Sequence, residues 1–254
     1  MKQGILIPVY RHAKTACIVS DKLLEMALPI ILVDDGNDEQ EKKLLEEYAA
    51  NTNGVFLVSL KKNSGKGKAV MEGLKKAKEM ELTHVLQIDA DGQHDEKKCR
   101  FFLEESAKNP DKVICGFPEF DESAPRSRVI GRKISTFWAA VVTLSAELKD
   151  THCGFRVYPV EACYKIIKNP FMEKRMGFDT EILVRLYWKK VFPLFFPIKV
   201  IYPEGGISNF RVVNDNIRLS LTFTRLCAGM IIRLPYLILI KFTNRKNKNG
   251  KNEK

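Results

Sequence analysis

The chain has 254 residues, and its 42 Lys+Arg against 31 Asp+Glu give a formal charge of +11. A content of 45% hydrophobic and 29% charged residues excludes disordered, collagen-like and disulfide-framework proteins and predicts one large domain with appendages. The six cysteines (Cys17, Cys99, Cys115, Cys153, Cys163, Cys227) are nowhere closer than ten residues, which excludes CxxC chemistry and a compact zinc knuckle and predicts free thiols in a reducing compartment.

The first apolar run, Gly4 to Val9, is too short for a signal peptide and is broken by Pro8, so no secretion is expected. Gln3 to Pro8 reads as a buried strand and Thr15 to Ala27 as a helix. Pro29 to Val33 is the second strand, followed by a charged helix from Asp38 to Ala50. Gly54 to Leu60 is the third, followed by a helix from Lys66 to Met80, and His84 to Ile88 is the fourth. Strands alternating with helices at this spacing predict an α/β fold, a mostly parallel central sheet flanked by helices on both faces.

In such a sheet, ligands bind beyond the carboxyl ends of the strands. After the four strands come Pro8-Val9-Tyr10, Asp34-Asp35-Gly36-Asn37-Asp38, Asn63 to Lys68, and Asp89-Ala90-Asp91-Gly92-Gln93-His94. The fold brings these polar loops to one edge. Asp89 and Asp91 offer oxygen ligands for Mg2+ or Mn2+, with Gln93 or His94 as a further ligand. Asn63 to Lys68 opens a helix, where backbone amides and the lysines Lys66 and Lys68 favour an anion. It is not a P-loop, because Lys62 and Ala69 stand where Gly and Ser/Thr are needed, and not a dinucleotide fingerprint, because Val70 stands where the third Gly belongs. Asp34 and Asp35 offer acceptors for a base or ribose, and Tyr10 a ring to stack on a base. Together these loops describe a pocket for a nucleoside diphosphate.

Pro8-Val9-Tyr10, Val33 to Asp38, Asn63 to Glu72 and Gln87 to His94 resemble the nucleotide-sugar half of inverting family-2 glycosyltransferases of the GT-A fold. Asp150 to Arg156 and Gly177 to Leu183 resemble the corresponding segments of polyprenyl-phosphate and dolichyl-phosphate hexosyltransferases. The resemblance implies a UDP- or GDP-sugar donor bound by Pro8, Tyr10, Asp34, Asp35, Asn63, Lys66, Asp89 and Arg156. It implies a metal on Asp89, Asp91 and Gln93 that offsets the charge of the departing diphosphate. A hydroxyl acceptor needs a general base, for which Asp150, Asp179 and Glu181 are candidates; a phosphate acceptor needs none.

Residues 117 to 147 form the acceptor side of this reading, with Arg126, Arg132 and Lys133 leading into an amphipathic helix through Phe137 and Trp138. Arg126, Arg132 and Arg211 are the expected contacts to an acceptor phosphate; Glu204, Ser208 and Arg211 lie on a candidate lid. The GT-A domain is expected over 1–215, its nucleotide-sugar half ending near 115 and its acceptor half spanning 116–215. An amphipathic membrane-associating helix is expected over 216–242 and a basic disordered tail over 243–254. The stretch Leu226 to Ile240 is interrupted by Arg233 and Pro235 and falls short of the roughly 20 clean residues of a spanning helix. The last fourteen residues carry six Lys/Arg against one acid, which suits an anionic membrane surface and a peripheral place on the cytoplasmic face. No nucleic-acid motif accompanies the charge. The resemblance implies transfer of a hexose to a polyprenyl phosphate, with a hydroxyl of a glycolipid, polyene or envelope saccharide as the second acceptor; a noncatalytic nucleotide-sugar or membrane-surface binding module and a nucleotidyltransferase are the competing readings, and the oligomeric state is left open.

Overall fold

The structure is a computed structural model that describes residues 1–93, 97–119, 126–199 and 212–249. Seven strands form one sheet in the order β3-β2-β1-β4-β6-β5-β7. These are β1 (Gln3–Val9), β2 (Ile30–Asp34), β3 (Val55–Ser59), β4 (His84–Gln87), β5 (Val113–Glu119), β6 (Arg156–Pro159) and β7 (Pro193–Lys199). The helices are α1 (Ala13–Leu24), α2 (Glu39–Asn51), α3 (Lys66–Glu79), α4 (Lys98–Lys108), α5 (Arg126–Thr143), α6 (Val160–Ile167), α7 (Phe178–Trp188), α8 (Val212–Ile232) and α9 (Leu234–Asn249). The four predicted strands and their helices are present with end shifts of a few residues. β6 runs antiparallel to both β4 and β5, and the other strand pairs are parallel, as the α/β reading expects.

The buried strands separate two cores by their two-residue period. Ile5, Ile7 and Val9 of β1 pack with Ala16, Val19, Leu45 and Phe102 of α1, α2 and α4. Leu6, between them, packs on the opposite face with Leu74 of α3 and with α6 and α7. Each such fully buried aliphatic side chain contributes about 1.5–3 kcal/mol.

Strand order reverses at β1. The chain passes from β1 to β2 and β3 on one side, then returns through α3 to β4 on the other. Pairing of β1 with β4 ends at Leu6↔Gln87, while pairing with β2 continues to Val9↔Asp34. Pro8, which lacks an amide donor, therefore stands where β1 has a neighbour on the β2 side only. The parting of β1 and β4 opens a crevice at the carboxyl edge.

The carboxyl-terminal part differs from the sequence expectation. In place of one helix over 216–242 there are two, α8 and α9, bent by 80° at a break next to Arg233. Pro235 explains the break, because its ring and missing N–H are tolerated in a first helical turn and not in a helix interior. Among the described residues no single helix is long and apolar enough to cross a membrane; the bent pair satisfies length and composition only when taken together. α9 continues to Asn249, into the stretch expected as a disordered tail.

Candidate functional site

The loops beyond β1, β2 and β3 are tied to one another by side chains that the sequence assigns to a ligand. Asp34 is fully buried, and its Oδ1 accepts from the Asn37 amide at 2.9 Å and Asn37 Nδ2 at 2.8 Å. Asn37 reaches across to the β1 loop, donating to the Val9 carbonyl at 3.2 Å and accepting from the Arg11 amide at 2.6 Å. Asp35 accepts from the amides of Ser64 (2.8 Å) and Gly65 (2.9 Å) and from Asn63 Nδ2 (3.0 Å). Burial pushes the Asp35 carboxyl above the usual carboxylate range, more than these amides and Arg175 lower it. Two amides expected to cradle an anion are thus spent on Asp35, so Asp35 and Asn63 build the loop. Of Asp34, Oδ2 keeps no hydrogen-bond partner among the described residues. Tyr10 stands at the mouth with the Arg11 guanidinium 5.1 Å from its ring centre.

At the floor, three charged groups from three elements meet. Lys66, the first residue of α3, brings Nζ to 2.8 Å from Asp89 Oδ1 and 3.2 Å from Asp179 Oδ2. Burial alone would depress the ammonium's pKa; Asp179 and Asp89 more than offset it, so the pKa is raised and the cation is secure. Gly154 closes over the pair, for a Cβ there would lie 2.6 Å from Lys66 Nζ and 2.8 Å from either Asp89 oxygen.

The three candidate bases separate. Asp150 is saturated: Arg132 donates to it at 2.8 Å, and the amides of His152 and Cys153 donate at 2.9 and 2.6 Å. Burial would raise its pKa, but Arg132 and the Cys153 amide hold the carboxyl below its usual range, which suits an anchor rather than a base. Glu181 is wholly buried away from the crevice, between Arg185 (2.6 Å), the Glu173 amide (2.8 Å) and Arg225 (3.7 Å). Residues two apart on a helix face away from each other, and Asp179 and Glu181 do so on α7. Asp179 alone of the three touches Lys66, and its Oδ1 has no hydrogen-bond partner among the described residues.

Two arginine expectations are corrected. Arg156 is fully buried beneath α7 and donates to the Asp179 carbonyl at 2.6 Å; it supports that helix start and does not face the crevice. Arg132 is committed to Asp150 and is not an open phosphate receptor. Arg126 is exposed at the start of α5. His94, Glu204, Ser208 and Arg211 lie outside the described residues. Sequence reasoning missed Arg175, which donates to Asn63 Oδ1 at 3.1 Å across 112 positions of chain and draws the segment before α7 onto the β3 loop. No local pattern pairs residues so far apart.

Asp89, Asp91 and Gln93 form a hard oxygen donor set, and Asp91 accepts from the Gln93 amide at 3.0 Å. Among the described residues no group of three or more His, Cys, Asp or Glu could hold a metal by itself. Two carboxylates and an amide oxygen on one loop are donor chemistry that suits Mg2+ or Mn2+ when substrate phosphates supply the further ligands.

His152 sits beside this site, where burial lowers its pKa to about 4 despite the attraction of Asp150; burial lowers His84 as well. The unfolded chain takes up these protons first, near pH ~6.5. Stability present above that pH is therefore lost as the pH falls towards about 4. Calorimetry at stepped pH is expected to show a falling melting temperature in this window, and His152→Gln to flatten the fall in part, leaving the share of His84.

A family model described as glycosyl transferase family 2 matches residues 4–167. The dolichyl-phosphate beta-glucosyltransferase of Dictyostelium discoideum is 31% identical over 174 residues, 65% of this chain and 52% of that protein. A UDP-N-acetylglucosamine-dolichyl-phosphate N-acetylglucosaminyltransferase of Methanococcus voltae is 24% identical over 244 residues, 90% of this chain and 97% of that protein. The chain spans about half the length of the dolichyl-phosphate glucosyltransferases it matches. Among solved structures, a mannosyltransferase of Pyrobaculum calidifontis in complex with GDP-mannose and Mn2+ superposes with a TM-score of 0.57 at 12% identity, covering 81% of this chain and 58% of that one. That likeness concerns the fold.

Proposed function

The chain belongs to glycosyl transferase family 2 and has the GT-A fold, and from that premise we propose that it moves a hexose from a UDP- or GDP-sugar to a polyprenyl phosphate, with inversion, at a membrane surface. The observation that carries the proposal is the convergence of Lys66, Asp89 and Asp179 at the point where β1 and β4 part. Dolichyl-phosphate acceptors in the names of two relatives support the acceptor class. A nucleotide-sugar donor implies the cytoplasmic face.

The donor's base and ribose lie against Tyr10 and the β2 loop in this reading, with Asp34 Oδ2 the acceptor left for a base N–H. Asp89, Asp91 and Gln93 hold Mg2+ or Mn2+, which when bound offsets the charge of the departing nucleoside diphosphate. Lys66 adds a permanent positive charge beside it, and Arg156 and Gly154 keep Asp179 and Asp89 in place. A phosphate acceptor is already an anion, so in-line attack on the anomeric carbon needs no base. The unpaired Oδ1 of Asp179 favours a hydroxyl acceptor as the second reading, with Asp179 as the base.

The acceptor side carries an apolar surface. Ile130, Ile134 and Phe137 on α5 are exposed, Phe137 at 63%, and α5 packs through Trp138 on Phe223 of α8 at 6.5 Å. Ile217, Leu221, Ile231, Ile232 and Leu239 continue the exposed apolar set along α8 and α9. Arg126 and Lys133 on α5 and Lys241 on α9 add positive charge, a combination that suits an anionic bilayer. Binding to phosphatidylglycerol vesicles is expected to weaken at least about tenfold in Ile134→Ser/Phe137→Ser, since each side chain withdrawn from the lipid forfeits about 1.5–3 kcal/mol. It is also expected to weaken with salt.

Transfer is tested by incubating the chain with Mn2+, polyprenyl phosphate in vesicles, and UDP-glucose, UDP-N-acetylglucosamine or GDP-mannose in turn. Mass spectrometry is expected to find the glycosyl phosphate lipid with one donor. Sugar appearing only on hydroxyl acceptors would favour the second reading, and no donor binding by a folded sample would overturn both.

A further inference from the structure

Lys66 does more in this structure than mark a positive helix start. Its ammonium lies 2.8 and 3.0 Å from the two oxygens of Asp89 and 3.2 Å from Asp179 Oδ2. The side chains of Lys66, Asp89 and Asp179 keep 19%, 24% and 5% of their surface. Two carboxylates share this one ammonium, and Asp179 Oδ1 is buried with no hydrogen-bond partner among the described residues. The Gly154 backbone lies directly over the pair, so that a Cβ there would meet the ammonium at 2.6 Å and either Asp89 oxygen at 2.8 Å. The ammonium thus holds the carboxylate that the metal reading assigns to a divalent cation. Two cations on one small carboxylate repel each other at this range.

Resting on the donor and metal reading above, we propose that Lys66 is an exchangeable counter-ion: it pairs with Asp89 and Asp179 in the free chain and releases Asp89 to the divalent cation only when a nucleoside diphosphate is there to receive the ammonium. The exchange is ionic, with no bond made or broken. Divalent cation and nucleotide are then coupled through this side chain, and the coupling acts equally in both directions. The free chain keeps the cation off Asp89 until the donor arrives, so the site is assembled by its substrate.

Mn2+ binding to the full chain without nucleotide, followed by electron paramagnetic resonance, tests this. Lys66→Met is expected to bind Mn2+ at least about tenfold more tightly than the wild type, within the range usual for coupled sites. Lys66→Arg, which keeps the charge, is expected to stay within about twofold of the wild type, below that range. Unchanged or weaker Mn2+ binding by a folded Lys66→Met chain overturns the exchange. Because Lys66→Met takes the ammonium from two carboxylates and can fail to fold, the wild-type chain supplies a second reading, the 15N signal of Lys66 Nζ. Mg2+ alone is expected to leave that signal in place, and Mg2+ with UDP or GDP to shift it. A shift with Mg2+ alone, or none with Mg2+ and bound nucleotide, overturns the exchange while the donor reading stands. Absence of any UDP or GDP binding in the presence of Mn2+ overturns both.

Discussion

Asp91→Ala is expected to lower glycosyl transfer at least about 10³-fold and to abolish the part of UDP or GDP binding that depends on Mn2+. Several kcal/mol of charge stabilisation on a departing diphosphate corresponds to a factor of that size. Asp91 is partly exposed, in a loop beyond β4 and outside both hydrophobic cores, and it accepts from the Gln93 amide of the same loop. Its loss therefore leaves both cores intact, and the melting temperature without ligand is expected to move by no more than about 2 °C, as for a surface change. Calorimetric titration of nucleotide with and without Mn2+ checks the binding, and the transfer assay checks the rate. Metal-dependent binding that survives the substitution removes Asp91 from the metal set.

Glu181→Ala is expected to act on the other side of α7 and by a different cause. Its carboxylate is wholly buried and accepts from Arg185 at 2.6 Å and from the Glu173 amide at 2.8 Å. Arg225 of α8 approaches it at 3.7 Å, and Glu173 accepts in turn from the amides of Lys174 and Arg175. Removing one partner of a largely buried pair costs up to about 3–5 kcal/mol, because the Glu173 amide and the Arg185 guanidinium, which keeps 20% of its surface, lose their acceptor. For a chain of this length that lowers the melting temperature by roughly 10 °C. Glu181→Gln keeps a hydrogen-bonding group in place and is expected to lose less stability while its folded fraction retains turnover. A 10²-fold or greater loss of turnover in a stable Glu181→Gln chain, the scale of a lost general base, would return Glu181 to the catalytic set.

Much of the donor side was legible in the sequence. Apolar runs at Gln3–Pro8, Pro29–Val33, Gly54–Leu60 and His84–Ile88, each followed by a helical period, determine a parallel sheet. A parallel sheet in turn brings the loops at Tyr10, Asp35, Lys66 and Asp89 to one edge, because every crossover returns the chain in the same direction. The motifs around Asp89, Asp91 and Lys66 carry chemistry whose meaning depends on position after a strand, and that position can be read from periodicity. The break at Pro235 was visible too, as an interruption of an apolar stretch, since proline acts through its own ring.

Which charge meets which was decided by the tertiary structure. Asp150, Asp179 and Glu181 look equivalent as residue types. One is saturated by Arg132, one faces Lys66, and one is sealed between α7 and α8. Arg156 reads as a phosphate ligand by its neighbours, yet β6 puts it under α7 with no exposed surface. Asn63 and Arg175 meet over 112 positions. Periodic patterns report the direction of a side chain from its own element, whereas the pairing of charges depends on the distances between elements. Sequence alone therefore determined the first four strands and the edge at which the site lies; packing added β5, β6 and β7 and decided that Lys66 holds Asp89 and Asp179, because strands and helices far apart in the chain must come together before one ammonium can reach both.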